Sequence, residues 1–368
     1  MKTGKSSFMP GCAGCREVFP LFPFRTWRGN GSEGPDLGQR LWRLTAVIIC
    51  AVGMLCQAPP ASAAEERKRE DAGTSARYSF TMAIPGKAFR FADEDIPLKR
   101  PDVAARVDAQ INFLLMDARS VLTLWLQDLN RYKWLFRDVL VKEGLPKDFV
   151  LLAAVISGLT PKVGSKSAGV GWWAIDKPCT EADGVPMTTN AWIDDRLDFE
   201  LSTACFAKRL KKTRDDLKTK SNLMAAAAYI ASRKDLVELQ EKWKTKVFWD
   251  LPLPDDAEVL VTRWVALGII YKYPKSFDLN FKESQPVSFD QVSNLKLAKD
   301  LPVAEIARIT KTPPILILEM NPKIKPNEGK LPAMVGGKPV EHSLAAPKGT
   351  GKSLVEHLKK EGFLAVKR

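Results

Sequence analysis

From Val103 onward, apolar residues recur at three- and four-residue steps: Val103, Val107, Ile111, Leu114, Leu115 and Ala118, then Leu122, Leu126 and Leu129. A stripe of that period faces a core only from a helix, because a strand would scatter the same residues over both of its faces. The pattern resumes from Trp134 to Val141, with Asn130-Arg131-Tyr132 expected to bend the chain between the two runs. Gly144 reads as a helix stop and Pro146 as a first-turn residue, so a new helix is expected from about Lys147 to Ser157. Gly158 to Gly184 is rich in Gly, Ser and Pro and reads as loop, with a short β element near Val170 to Ile175. Further helices are expected over Leu201 to Lys218, Leu223 to Lys234 and Ala257 to Tyr273, the last stopped by Pro274. Few strands are visible. The expected class is mainly α with a minor β element, a long helical segment first and a small α/irregular tail last.

The chain has 368 residues, 45% of them hydrophobic, which suffices for one or two domains. Its net charge of +13 favours anionic partners without choosing among them. Arg40-Leu-Trp-Arg43, the apolar run Leu44 to Cys56 and the small-residue exit Ala61-Ser-Ala63 have the order of a secretory signal peptide. The run is short for a membrane span. These features divide the chain into a leader (1–39), a signal peptide (40–63), a linker (64–100), a helical domain (101–282) and a tail (283–368), with the mature protein in the periplasm or cell envelope. Cleavage after Ala63 leaves Cys179 and Cys205, which in an oxidising compartment either pair or stay as separate thiols. Cys12-x-x-Cys15 has no second pair, and the only histidines, His342 and His357, are near the carboxyl end. No metal site, no cofactor and no His-dependent triad is therefore expected in the main domain.

In the tail, Val303 to Ala307 and Ile315 to Met320 read as short helical turns, ended by Asn321-Pro322; Pro, Gly and Lys then dominate, and this end is expected to be flexible. Ala346-Pro-Lys-Gly-Thr-Gly-Lys-Ser353 fits a loose phosphate-loop pattern. Such a loop needs a buried strand before it and a helix after it. Glu341 to Ala345 does not read as that strand, so no nucleotide and no nucleic acid is expected as partner.

Six pieces occur in one order along the middle of the chain. They are Gly144-Leu-Pro146; Ser157 with Pro161; Gly169-Val-Gly171 with Trp173; Trp192-Ile-Asp-Asp-Arg-Leu-Asp198 with Leu201-Ser-Thr203; Ala227-Ala-Tyr229; and Phe248-Trp-Asp-Leu-Pro-Leu-Pro254. In that order they resemble the lytic transglycosylases, enzymes with a goose-type lysozyme-like (SLT) fold that cleave the glycan of peptidoglycan. Leu301 to Pro322 resembles a glycan-binding LysM module, which recurs in the tails of that family.

The resemblance implies a site and also its damage. The family's catalytic glutamate falls on Ile156, its glutamine after Trp falls on Ala174, and its asparagine after Tyr falls on Ile230. Ser157, Gly171, Trp172, Trp173 and Tyr229 are the substrate-binding candidates the resemblance leaves standing. Glycosidic cleavage requires protonation of the leaving oxygen by an acid kept protonated in a partly buried site. In the family the same carboxylate then deprotonates the sugar's own 6-hydroxyl to give a 1,6-anhydro product, and isoleucine can do neither. Asp176 and Glu181, in the loop after Trp173, are the possible substitute acids. Asp194, Asp195 and Arg196 read as a helix cap with an ion pair. Three readings follow: a non-catalytic protein that binds peptidoglycan glycan strands or serves as a scaffold, an active enzyme with a relocated acid, and an assembly factor whose closed groove meets an envelope protein.

Overall fold

The computed structural model describes residues 89–161, 169–279 and 284–365, all within one unit, Thr74–Arg368. The leader, the signal peptide, the first part of the linker and the cysteines at 12, 15, 50 and 56 lie outside the described residues.

The first elements are a hairpin of β1 (Phe89–Phe91) and β2 (Glu94–Ile96), with Phe89 opposite Ile96. Its turn residues Ala92 and Asp93 have φ of 49° and 60°, the two successive positive values of a tight hairpin turn. The sequence places this stretch in a linker, but Phe89, Phe91, Ala92 and Ile96 are buried. Strands of three residues are too short to display an alternation, which is why the hairpin is invisible in the pattern.

The stripe from Val103 becomes α1 (Pro101–Asn112), a π turn over Phe113–Asp117, and α2 (Arg119–Lys142). The interruption therefore falls at Phe113–Asp117, closed by a bond from Ala118 N–H to the Phe113 carbonyl. The bend expected at Asn130 to Tyr132 is absent, since none of those residues lacks the N–H a helix needs. Then come α3 (Phe149–Ser157), α4 (Phe199–Asp216), α5 (Asn222–Ile230), α6 (Arg233–Trp243) and α7 (Asp255–Lys272). The helix expected over Leu223 to Lys234 is two helices, because the Ser232 hydroxyl accepts the Asp235 N–H and starts α6.

α3 is buried on nearly every side, as its uninterrupted apolar sequence requires. It packs on α2 and α7, and α7 also packs on α1 and α5. Trp264 on α7 donates its indole N–H to the Asp148 carbonyl at the start of α3 (3.0 Å). Gly268, one turn on, lies under Phe91, where a Cβ would come within 2.3 Å of the ring. A side chain there would drive the hairpin off the core.

A second cluster of buried apolar residues forms in the tail. β3 (Phe289–Lys296) pairs antiparallel with β8 (Glu341–Pro347), after the short strands β4 (Leu301–Pro302), β5 (Lys330–Leu331), β6 (Met334–Val335) and β7 (Lys338–Pro339). Between β3 and β8 lie α8 (Val303–Thr310) and α9 (Pro314–Met320), and α10 (Gly351–Lys360) follows β8. The expectation of a flexible end is corrected here: Leu344, Ala346, Leu354 and Leu358 are buried in this cluster. The strand partner of β8 lies about fifty residues upstream, so local composition could not reveal it. The architecture is mainly α with two-stranded sheets, consistent with a lysozyme-like fold.

The two clusters meet at Trp192 to Asp198. Ile193 is buried among the tail residues and bridges to Ile324. Lys323 reaches back to Asp198 at 2.8 Å, with both side chains almost fully buried. Among the described residues no helix is long and apolar enough to cross a membrane.

Candidate functional site

Ile156 lies at the carboxyl end of α3, half-buried against the core. Its neighbour Ser157 is buried, and its hydroxyl donates back to the Ala153 carbonyl (2.9 Å). Ser157 therefore closes the helix end and does not reach out to a ligand. Gly158 ends the helix at φ 64°.

The Gly169–Ile175 loop folds tightly on itself, Val170 and Ile175 exchanging both backbone hydrogen bonds at 3.0 and 2.9 Å. Its glycines are obligatory. A Cβ on Gly169 would stand 2.0 Å from the Ala174 carbonyl oxygen, and one on Gly171 would stand 2.2 Å from that of Arg196. Gly171 is buried and serves this close approach.

The loop presents its two tryptophans inward. Trp173 is fully buried, stacked on Phe206 at 3.9 Å and donating to the Thr203 hydroxyl at 2.9 Å. Trp172 is buried too, edge-on to Phe136 at 5.3 Å, with its N–H on the Leu197 carbonyl at 2.9 Å. The expectation that these rings receive sugar is corrected: neither face is open, and packing takes them because aromatic area is worth most where it is dry. The Tyr229 hydroxyl donates to the Trp173 carbonyl (2.7 Å), and burial pushes its pKa well up. These groups lock loop, α4 and α5 together.

Asp194 and Arg196 form the expected cap and ion pair. Asp194 accepts the Arg196 backbone N–H and, bidentately, the Nε and Nη2 edge of its guanidinium (2.9 and 2.7 Å). Arg196 also donates to the Asp176 carbonyl at 3.1 Å, fixing the end of the loop. Burial raises the Asp195 carboxyl above the usual range, against the Thr188 N–H it accepts.

A cleft of about 700 Å³ opens beside this frame. Ala174, Tyr229 and Ile230 line it, so two of the three apolar replacements share one wall; Ile156 is not among its lining residues. Asp176 lines it as well, exposed and ion-paired with Arg209 (3.1 Å). Glu181 is exposed on a single turn, Glu181–Asp183, and is not among the lining residues. Glu143, just before α3, is held below the usual carboxylate range by the Lys211 ammonium, with Lys208 also close.

Five cations also line it, Lys177, Arg209, Lys212, Arg233 and Lys234, with the carboxylate of Asp183 among them. None of these was singled out in the sequence. The signal was Lys208-Arg-Leu-Lys-Lys212 and Arg233-Lys234, charge runs that ordinarily mark a solvated helix face. Cys179 and Cys205 are joined, with Cα atoms 5.9 Å apart, tying the loop wall to α4. Among the described residues no group of three or more His, Cys, Asp or Glu could hold a metal ion.

The phosphate-loop-like stretch does follow a strand, β8, and opens a helix, α10, which corrects the expectation of no strand there. Its sheet is two-stranded and antiparallel, and the helix start already carries an anion. Asp290 accepts the Gly351 N–H (3.0 Å), which holds its carboxyl below the usual range, and Lys348 lies 3.5 Å away.

No protein-family model matches the chain. Over 180 residues it is 28% identical to the membrane-bound lytic murein transglycosylase D of Escherichia coli (strain K12), and equally to that of Escherichia coli O6:H1. The match covers 46% of this chain and 38% of each relative, so the chain spans well under half the length of the curated relatives it matches. It supports a distant likeness to lytic transglycosylases.

Proposed function

We propose that this chain is a cell-envelope protein that binds peptidoglycan, or scaffolds an assembly on it, with a lytic transglycosylase frame that no longer cleaves. The observation that carries the reading is Ile156. The position matching the family's only indispensable acid is a half-buried isoleucine at the end of α3. General acid–base catalysis contributes about 10²- to 10⁴-fold to such a reaction, and a single-acid mechanism has no second carboxylate in reserve. Ala174 and Ile230 extend the loss, since neither offers a hydrogen bond to a sugar. The order β3, α8, α9, β8, with its outer strands paired antiparallel, is in keeping with a LysM-like glycan-binding tail.

One observation favours the second reading, an active enzyme with a displaced acid: Asp176 lines the same cleft as Ala174 and Ile230. The third, a protein-partner assembly factor, draws on the apolar replacements alone.

The test is incubation of the purified protein with sacculi, weighing the released products by mass spectrometry and assaying the pellet for bound protein. Retention without 1,6-anhydro products is the expected result. Release of such products, abolished by Asp176→Ala or Glu181→Ala, would replace this reading with the second. Neither products nor retention would point to the third.

A further inference from the structure

We infer that the cleft beside Ala174 and Ile230 takes the carboxylates of an acidic peptide, of the kind carried on peptidoglycan glycan strands, on Arg209, Lys212 and Lys177. This deepens the peptidoglycan-binding reading and rests on it.

The cleft carries an excess of positive charge. Five of its lining side chains are cations and two, Asp176 and Asp183, are carboxylates. Ala174 and Ile230 offer no hydrogen bond, the Tyr229 hydroxyl is already committed to the Trp173 carbonyl, and of the other two hydroxyls on the wall, Thr213 and Ser232, the second caps α6 by accepting the Asp235 N–H. What remains is electrostatics in a concave, ligand-sized site.

Arg209 is the prepared group. Its Nη2 donates to the Lys177 carbonyl at 2.7 Å, fixing the plane of the guanidinium. Its Nη1 holds the Asp176 carboxylate at 3.1 Å. The same Asp176 oxygen also accepts the Lys177 N–H at 2.7 Å; its side chain is 71% exposed, so water can take over that bond when an incoming carboxylate of the same geometry takes its place on Arg209. The cleft thus already carries at Arg209 the class of anion it is inferred to receive. Lys177 and Lys212 are exposed and make no ion pair among the described residues. Asp183 is close enough to Arg209 and Lys212 for both to lower its carboxyl further, after the Thr180 N–H. α6 also begins on this rim, at Arg233 and Lys234, and adds the positive end of its dipole. Asp183 offsets part of the charge of Lys212, and Arg233 and Lys234 pair with Asp216 and Glu238, so a second carboxylate on the ligand finds Lys177 and the remaining charge of Lys212.

The experiment is calorimetric titration of the full chain with a soluble disaccharide-tetrapeptide from peptidoglycan, with the same disaccharide stripped of its peptide, and with inorganic phosphate. Sacculus pelleting is run beside it. The peptide-bearing fragment is expected to bind, the bare disaccharide and phosphate not. The double charge reversal K177E/K212E should weaken binding about tenfold or more, the loss of one or two charge-assisted hydrogen bonds, and so should raising the salt from about 0.1 M to 1 M. Thermal melting of that variant checks its fold, and Lys212→Gln should fall between it and the parent. Equal binding of the bare disaccharide, displacement of the fragment by phosphate, or no effect of either change would overturn the inference. Sacculi retained while the fragment fails to bind would sink it and leave the peptidoglycan-binding reading standing. Sacculi not retained would end both.

Discussion

The disulfide between Cys179 and Cys205 closes a loop with a sequence separation of 26; of the cleft-lining residues Asp183 lies within that loop, and Lys177 and Arg209 lie just outside its two ends. The loop-closure relation for that length gives about 3.5 kcal/mol of stabilisation at 25 °C, through the entropy removed from the unfolded chain. With a urea m-value of about 3 kcal/mol/M, reduction should lower the unfolding midpoint by about 1 M. Both cysteines are buried, at 1% and 0% exposure, so a phosphine reaches the sulfurs only through opening; the protein must be reduced in urea and refolded before the comparison. Reduction is preferable to substitution because it breaks the bond and keeps every heavy atom in the core. The assay is equilibrium urea unfolding of oxidised and reduced full-length chain, with peptide masses after alkylation confirming the state of Cys179 and Cys205. A midpoint moved by less than about 0.3 M would refute the reasoning, because the cross-link would then not constrain the unfolded loop. Lys177 lies two residues before Cys179 and lines the cleft, so the reduced protein should also be held less firmly by sacculi.

Trp173→Ala should cost about 3–5 kcal/mol in urea unfolding, because the ring is fully buried on Phe206; normal stability with lost glycan binding would make it a ligand platform after all. Lys323→Ala leaves Asp198 buried without its cation, an effect of about 3 kcal/mol; limited proteolysis should then cut ahead of β3, and an unchanged digest would show that the ion pair does not hold the tail. Burial pushes His342 below the ordinary imidazole value of 6.5, so the unfolded chain takes up this proton before the folded one does. Its contribution is present above pH 6.5 and is lost as pH falls from there towards the lowered value. A stability–pH slope in that range that persists in His342→Gln would remove this account. Ile156→Glu alone should yield no 1,6-anhydro products from sacculi, since Ala174 and Ile230 still offer no donors; products from that single change would show the acid to be the only missing part.

The helices were legible because they carry a long signal. The stripe through Val103, Val107 and Ile111 and the all-apolar α3 leave few alternatives for a chain that must bury them. The elements that stayed hidden are short or depend on distant partners: the hairpin at Phe89, the break at Ser232, and β3 with β8. The candidate site divides in the same way. The Asp194–Arg196 pair could be located from a local motif, and its pinning role followed; Gly171 could be located as well, but it was expected to bind substrate, and its close approach to the Arg196 carbonyl depends on a residue remote in sequence. Whether Trp172 and Trp173 faced a groove or the core could not be read, because an aromatic pair beside glycines has the same text in both cases; only Phe136, Phe206 and Thr203, remote in sequence, decide it. The cationic rim went unmarked for a comparable reason, since charge runs on a helix ordinarily belong to a solvated face. Concavity is a property of the loop, α4, α5 and α6 together, and none of them shows it alone.

A frame can outlive its chemistry when the groups that hold it are not the groups that react. Here Trp173, Thr203, Tyr229, Arg196 and Asp194 bond to one another and to the backbone, and nothing in that network passes through Ile156, Ala174 or Ile230. A glutamate at the end of α3 would carry its charge beside the negative end of the helix dipole and against an apolar core, which is costly unless catalysis requires it. Isoleucine removes that cost and adds packing, the usual direction when activity no longer opposes stability. The cations on α4 and α6 lie outside this exchange. They take no part in the network that holds the frame, so under the proposed reading loss of cleavage at Ile156 and binding on these cations can coexist without either compromising the fold.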